Sequence, residues 1–126
     1  MGDANAEMRD LLLVDDPERE TIEHKGFTVE VRAPTLKQQK TIRERAKDPK
    51  TKQVDDIKML VFAVMECAYY PGSDSRVFKR EDEEALMSHS LSPRSLMGKA
   101  TKAIGRLMSQ DAKEIEANFE EDPTDS

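Results

Sequence analysis

Tryptophan is missing from this chain, and aromatic residues of any kind make up only 5% of it. Few large rings imply a modest core, because Phe, Tyr and Trp supply much of the apolar area that a small domain buries. Cysteine occurs once, at Cys67, which excludes an internal disulfide and makes a reducing compartment the natural setting. His24 and His89, the two histidines, have no cysteine or acidic ligand pattern around them, so no zinc site is expected. Asp74 and the acidic run 81–84 lack the spaced oxygens and central glycine of an EF-hand loop. Gly-rich phosphate loops and Gly-x-Ser-x-Gly elbows are also missing. No catalytic residue, metal ligand or cofactor is therefore assigned, and an enzyme is not expected. No apolar run approaches the ~20 residues of a membrane span. The start, Met1-Gly2-Asp3-Ala4-Asn5-Ala6, has neither the basic nor the apolar region of a signal peptide, and Ala6 stands where myristoylation wants Ser or Thr. These absences point to a soluble, intracellular protein without a membrane partner.

Charge is what the chain has in quantity: 37% of its 126 residues are charged, with a net charge of −6. The charge comes in blocks. Residues 1–24 carry −6, residues 25–53 carry +6, residues 54–93 carry −4, residues 94–108 carry +4 and residues 109–126 carry −6. Such blocks either satisfy one another within the monomer or guide assembly with partners. The basic stretch with Lys37, Lys40, Arg43, Arg45, Lys47, Lys50 and Lys52 lacks interleaved aromatics in an acidic chain, against the electrostatic footprint of nucleic-acid binding.

One domain is expected from the length: an acidic N-terminal arm over 1–17, a single helical domain with a β-hairpin over 18–119, and a disordered acidic tail over 120–126. The fold class is α+β, mainly α, with an N-terminal hairpin on a bundle of about five short helices. The arm holds one apolar run, Leu11-Leu12-Leu13-Val14, as a short helix or an extended arm. Residues 18–24 read as a weak strand and Lys25-Gly26 as a turn. Phe27, Val29 and Val31 alternate with Thr28, Glu30 and Arg32, the period of a strand with one buried face. Pro34 ends that strand, and Thr35 with Gln38 forms a Thr-x-x-Gln capping box for a helix over 36–47. Further helices are expected over 54–69, 80–89, 92–108 (capped by Ser92 with Pro93 at its first position) and 110–119 (capped by Ser109). Turn formers fill 70–75.

On the second helix Ile57, Leu60, Val61, Val64 and Ala68 follow the spacing of a core stripe, while Met59, Phe62 and Tyr69 lie on the other side. Either another helix covers that second side or it is an exposed docking strip. On the fourth helix Leu96, Ala100, Ala103 and Leu107 make the core line, widened by Met97, Ile104 and Met108. Gly98 and Gly105 share its opposite face, as a softened helix or as a groove admitting another backbone. Seven methionines suit either core gap-filling or an adaptable apolar surface. Met59, Phe62, Tyr69, Met97 and Met108 are the candidate partner-binding residues.

Taken in order, these segments resemble one family. Val29-Glu-Val-Arg-Ala-Pro-Thr-Leu-Lys-Gln-Gln-Lys resembles the strand-to-helix segment of tail assembly chaperones of long-tailed bacteriophages. Asp56-Ile-Lys-Met-Leu-Val-Phe-Ala-Val-Met-Glu-Cys resembles their apolar helix, followed by a Pro-Gly loop and Val77-Phe-Lys-Arg-Glu-Asp-Glu-Glu-Ala-Leu. Lys113-Glu-Ile-Glu-Ala-Asn-Phe-Glu-Glu is similar to their ending. Tyr70 departs from the pattern, where an acidic residue is expected before the proline. The resemblance covers roughly residues 20–121. It implies a late protein of the infected host cytoplasm that binds and solubilises the tape measure protein, helps recruit tail tube subunits and is absent from the mature virion. It also implies a longer form of the chain made by ribosomal frameshifting, and leaves a homo-oligomer open. The alternative is a structural tail completion or adaptor protein retained in the virion.

Overall fold

A computed structural model describes residues 2–120, and the side chains of residues 3–109. Within it the chain is α+β and mainly helical. The order is α1 (Gly2–Leu13), β1 (Arg19–His24), β2 (Phe27–Arg32), α2 (Leu36–Ala46), α3 (Asp56–Cys67), β3 (Ala68–Tyr69), a 3-10 turn (Arg80–Asp82), α4 (Glu83–Met87) and α5 (Leu96–Glu120). The expected tail over 120–126 lies, from residue 121 on, outside the described residues. None of the described helices is long and apolar enough to cross a membrane.

Local signals fix the hairpin and the helix after it. Lys25 and Gly26 both take positive φ, 52° and 82°, the conformation of a two-residue turn matched to the twist of its strands. β1 and β2 pair antiparallel from Arg19↔Arg32 to His24↔Phe27. At α2 the capping box is closed: Gln38 N donates to Thr35 Oγ1 at 3.1 Å and Thr35 N donates to Gln38 Oε1 at 2.9 Å. Asp55 caps α3, its carboxylate accepting from Ile57 N at 2.9 Å and Lys58 N at 3.2 Å.

The hairpin gains a third strand that periodicity did not predict. The helix expected over 54–69 ends at Cys67, because Ala68 and Tyr69 pair with Val31 and Glu30 and extend the sheet in the order β1-β2-β3. Sheet pairing outweighs the local apolar helix signal there. Ile22, Val29 and Val31 enter the core, but Phe27 is exposed and Glu30 is buried. Phe27 sits beside the turn, past the edge of the packed helices, and Glu30 lies under β3 and its loop.

Two helix boundaries also differ from expectation. The 92–108 helix begins at Leu96 with Ser95, not Ser92, at its cap: Ser95 Oγ accepts from Gly98 N at 2.9 Å and donates to Ser90 O at 2.6 Å. Ser109 does not start a new helix. Its hydroxyl faces Arg106 O at 3.5 Å, a mid-helix back-bond, and α5 continues through it. The helix expected over 80–89 shortens to the 3-10 turn and α4. With α5 packed on the sheet and α3 packed on α5, these two helices supply the main core with Val61, Phe62, Val64, Met65, Met97, Ala100, Ala103, Ile104 and Leu107, while α2 adds Ile42 and Ala46.

Candidate partner-binding site

Packing redistributes the five candidate residues. Phe62 and Met97 are core residues, and Met59 is half-buried against the core. Tyr69 is buried in β3, its hydroxyl accepting from Gln38 Nε2 at 3.1 Å. Met108 alone of the five is well exposed, at 47%. The expected strip of Met59, Phe62 and Tyr69 is thus no free surface, because α2 packs along that side of α3. Arginines cover both rings: the Arg45 guanidinium lies 4.5 Å from the Phe62 centroid and that of Arg32 lies 4.1 Å from the Tyr69 centroid.

The expected core stripe of α3 is truncated in turn. From Val61 to Cys67 only Ala63 is less than buried, whereas Ile57 is 63% and Leu60 37% exposed. These two continue the face of Val61 and Val64 beyond the end of the core, leaving an apolar strip that runs into solvent.

A concavity of about 450 Å³ opens beside the other end of α3. Its lining is Arg45 from α2, Met65 and Glu66 from α3, and Arg76, Phe78, Lys79 and Arg80 from the segment leading to α4. The Glu66 carboxylate is buried between Arg76 at 2.9 Å and Arg45 at 3.8 Å, as a buried charge must be paired to be tolerated. Arg45, Arg76, Lys79 and Arg80 line the cleft with this single carboxylate, so it keeps excess positive charge beside the apolar Met65 and Phe78. Such a cleft suits an anionic group attached to an apolar body.

A second buried carboxylate holds the loop beside the sheet. Glu30 accepts from Arg32 Nε at 2.6 Å, lies 3.6 Å from Arg19 Nη1 and faces Gly72 N at 3.4 Å. Arg32 also donates to Ser73 O at 2.6 Å and Asp74 Oδ1 at 3.0 Å. The hydrogen bond from Arg32 holds the Glu30 carboxyl below the usual glutamate range, against the opposing effect of burial. Cys67 is buried in the core, and burial with the nearby Glu66 charge pushes its thiol up to about 12. It is a packing residue. No three His, Cys, Asp or Glu side chains converge in a metal-binding arrangement among the described residues.

Comparison with protein-family models, with curated proteins and with solved structures found no match to this chain. The cleft escaped the sequence reading because its arginines come from two segments far apart in sequence, α2 and the stretch leading to α4. One signal was available: Glu66 interrupts an otherwise apolar helix end, and a carboxylate there needs cations brought from elsewhere.

Proposed function

We propose that this protein is a tail assembly chaperone of a long-tailed bacteriophage, binding and solubilising the tape measure protein and helping to recruit tail tube subunits in the host cytoplasm. The observation that carries the reading is the apolar face of α3 running off the core at Ile57 and Leu60. A long apolar helical client is gripped by apolar strips of this kind. Support also comes from the order of the resembling segments, which fall on β2–α2, α3, its following loop and α4. Of the residues first singled out the client surface keeps Met108 and gains Ile57 and Leu60, with the basic cleft available to acidic client segments.

Co-expression with a phage tape measure protein, the product of a long helical reading frame, tests this. Ile57→Ser with Leu60→Ser is expected to abolish co-purification of that product while the far-UV circular dichroism stays unchanged, since both side chains already face solvent. Retention of the client by this variant refutes the strip. Stoichiometric presence of the chain in purified virions, measured by mass spectrometry, refutes the chaperone reading in favour of a retained tail subunit.

A further inference from the structure

We propose that the basic cleft at the end of α3 is a binding site for a short acidic segment of a partner protein, taking two or more carboxylates together with a bulky apolar side chain beside them. The inference deepens the proposed function and rests on that reading for the identity of the partner, which is the client.

Charge in the cleft is unbalanced. Its one carboxylate, Glu66, is 6% exposed, and both oxygens are spent on arginines: Oε2 lies 2.9 Å from Arg76 Nη2 and Oε1 lies 3.8 Å from Arg45 Nη1. Lys79 and Arg80 stand exposed on the same cleft and form no ion pair with a described side chain. The acids that follow them in sequence, residues 81–84, do not line it. Glu66 engages only part of either guanidinium, and each carries five N–H donors, so Arg45 and Arg76 keep donors for a further carboxylate.

The cations are also held in place before any ligand arrives. Glu66 tethers both arginines, and Arg45 is fixed again by lying over the Phe62 ring. The wall that carries Arg76, Lys79 and Arg80 is fastened at both ends. Val77 N donates to Ala68 O at 3.0 Å, and Lys79 N donates to Asp82 Oδ2 at 2.7 Å. Groups ordered in advance lose little freedom on binding.

Size and chemistry choose the ligand. About 450 Å³ is the volume of a small binding pocket, room for a few side chains. Met65 and Phe78 offer apolar contact that a free inorganic anion leaves unused. A long polyanion such as nucleic acid meets the repulsion of a chain with net charge −6, whereas a short acidic segment meets the cleft alone.

The test measures fluorescence anisotropy of a labelled Gly/Ser peptide with a central Glu-Leu-Glu-Phe-Glu, added to the full chain. Saturable binding is expected, weakened at least tenfold when Gln replaces each Glu and severalfold when Ala replaces Leu and Phe. Lys79→Glu with Arg80→Glu should weaken it at least tenfold at an unchanged melting temperature, because both side chains are exposed and unpaired. Lys37→Glu with Lys40→Glu, the same charge change on exposed α2 positions outside the cleft, should leave it within twofold. Equal loss in both double variants, or equal binding of the Gln peptide, overturns the proposal. So does displacement by inorganic phosphate with no preference for the apolar residues, which makes the cleft a simple anion site. Binding that appears only after residues 120–126 are removed overturns it too, since the cleft then belongs to the chain's own acidic end. Ile57→Ser with Leu60→Ser separates this from the proposed function: it should keep the peptide while losing the tape measure protein. If the peptide never binds but that variant still loses the client, the cleft proposal fails and the chaperone reading stands.

Discussion

Gly98→Ala and Gly105→Ala make the same chemical change seven residues apart on α5, yet opposite outcomes are expected. At Gly105 a Cβ would meet nothing within 4 Å, so alanine contributes only its helix propensity, about 0.8–1.0 kcal/mol of stabilisation. At Gly98 the backbone of the preceding loop crosses the helix, and a Cβ would lie 1.9 Å from Ser92 O and 2.8 Å from Ser92 C. That overlap is with backbone, so no side-chain rotation relieves it. The loop must move by more than an ångström, and Ser92 O is held there by Ser95 N at 3.0 Å. Overpacking of this kind costs about 1–3 kcal/mol, and losing the Ser95 cap adds about 1 kcal/mol. Set against the gain of about 1 kcal/mol in propensity, the net is a loss of about 1–3 kcal/mol for Gly98→Ala. For a domain near 100 residues each kcal/mol moves Tm by about 4–8 °C. Urea and thermal melts followed by circular dichroism should therefore place Gly105→Ala above the parent and Gly98→Ala well below it. If Gly98→Ala is as stable as Gly105→Ala, the close crossing of 91–92 over α5 does not exist.

Two further outcomes follow from the buried groups. Cys67 in the native protein should react with a disulfide reagent at pH 8 far more slowly than a free thiol and become fully reactive in denaturant, since its thiol is raised to about 12 by burial; rapid native labelling would show that α3 is not packed there. Glu30→Gln should lower stability at neutral pH by about 1.5–3 kcal/mol, the worth of a hydrogen bond to a charged group. Because the folded carboxyl titrates below its ordinary 4.5, that stabilisation is complete above this value and is lost as pH falls through the depressed folded pKa. Urea midpoints of parent and variant should therefore converge on the acid side, and a gap that stays constant to pH 2 would contradict the pairing with Arg32.

What the sequence made legible was local. The Lys25-Gly26 turn and the Thr35–Gln38 box depend on neighbours within a few residues, and both form as read. The misread elements depend on distant partners. Tyr69 looks helical until β2 offers its backbone as a strand. Ser92 looks like a cap until Ser95, held by Ser90 O, takes the role. Phe62 and Ile57 carry equal apolar signal on a helix that is apolar nearly all round, so periodicity had no means of telling which one α2 would cover. Gly98 and Gly105 gave identical signals, and only one of them admits a backbone.

The charge blocks separate by segment in the same way. The basic 94–108 stretch serves the hairpin, with Arg106 paired to Glu20 and Lys99 Nζ donating to Glu23 O at 2.7 Å. Arg45 and Arg76 are committed to Glu66, and Arg32 to Glu30 and Asp74. For these, mutual satisfaction inside the monomer accounts for the pattern. It leaves a remainder. In the arm, Asp16 pairs with its neighbour Arg19, while Asp3, Glu7 and Asp10 form no ion pair with a described side chain, and the same holds for Lys37, Lys40 and Arg43 on α2. Exposed charges of this kind gain little stability singly; what they affect is how fast, and in which orientation, a partner of opposite charge meets the surface.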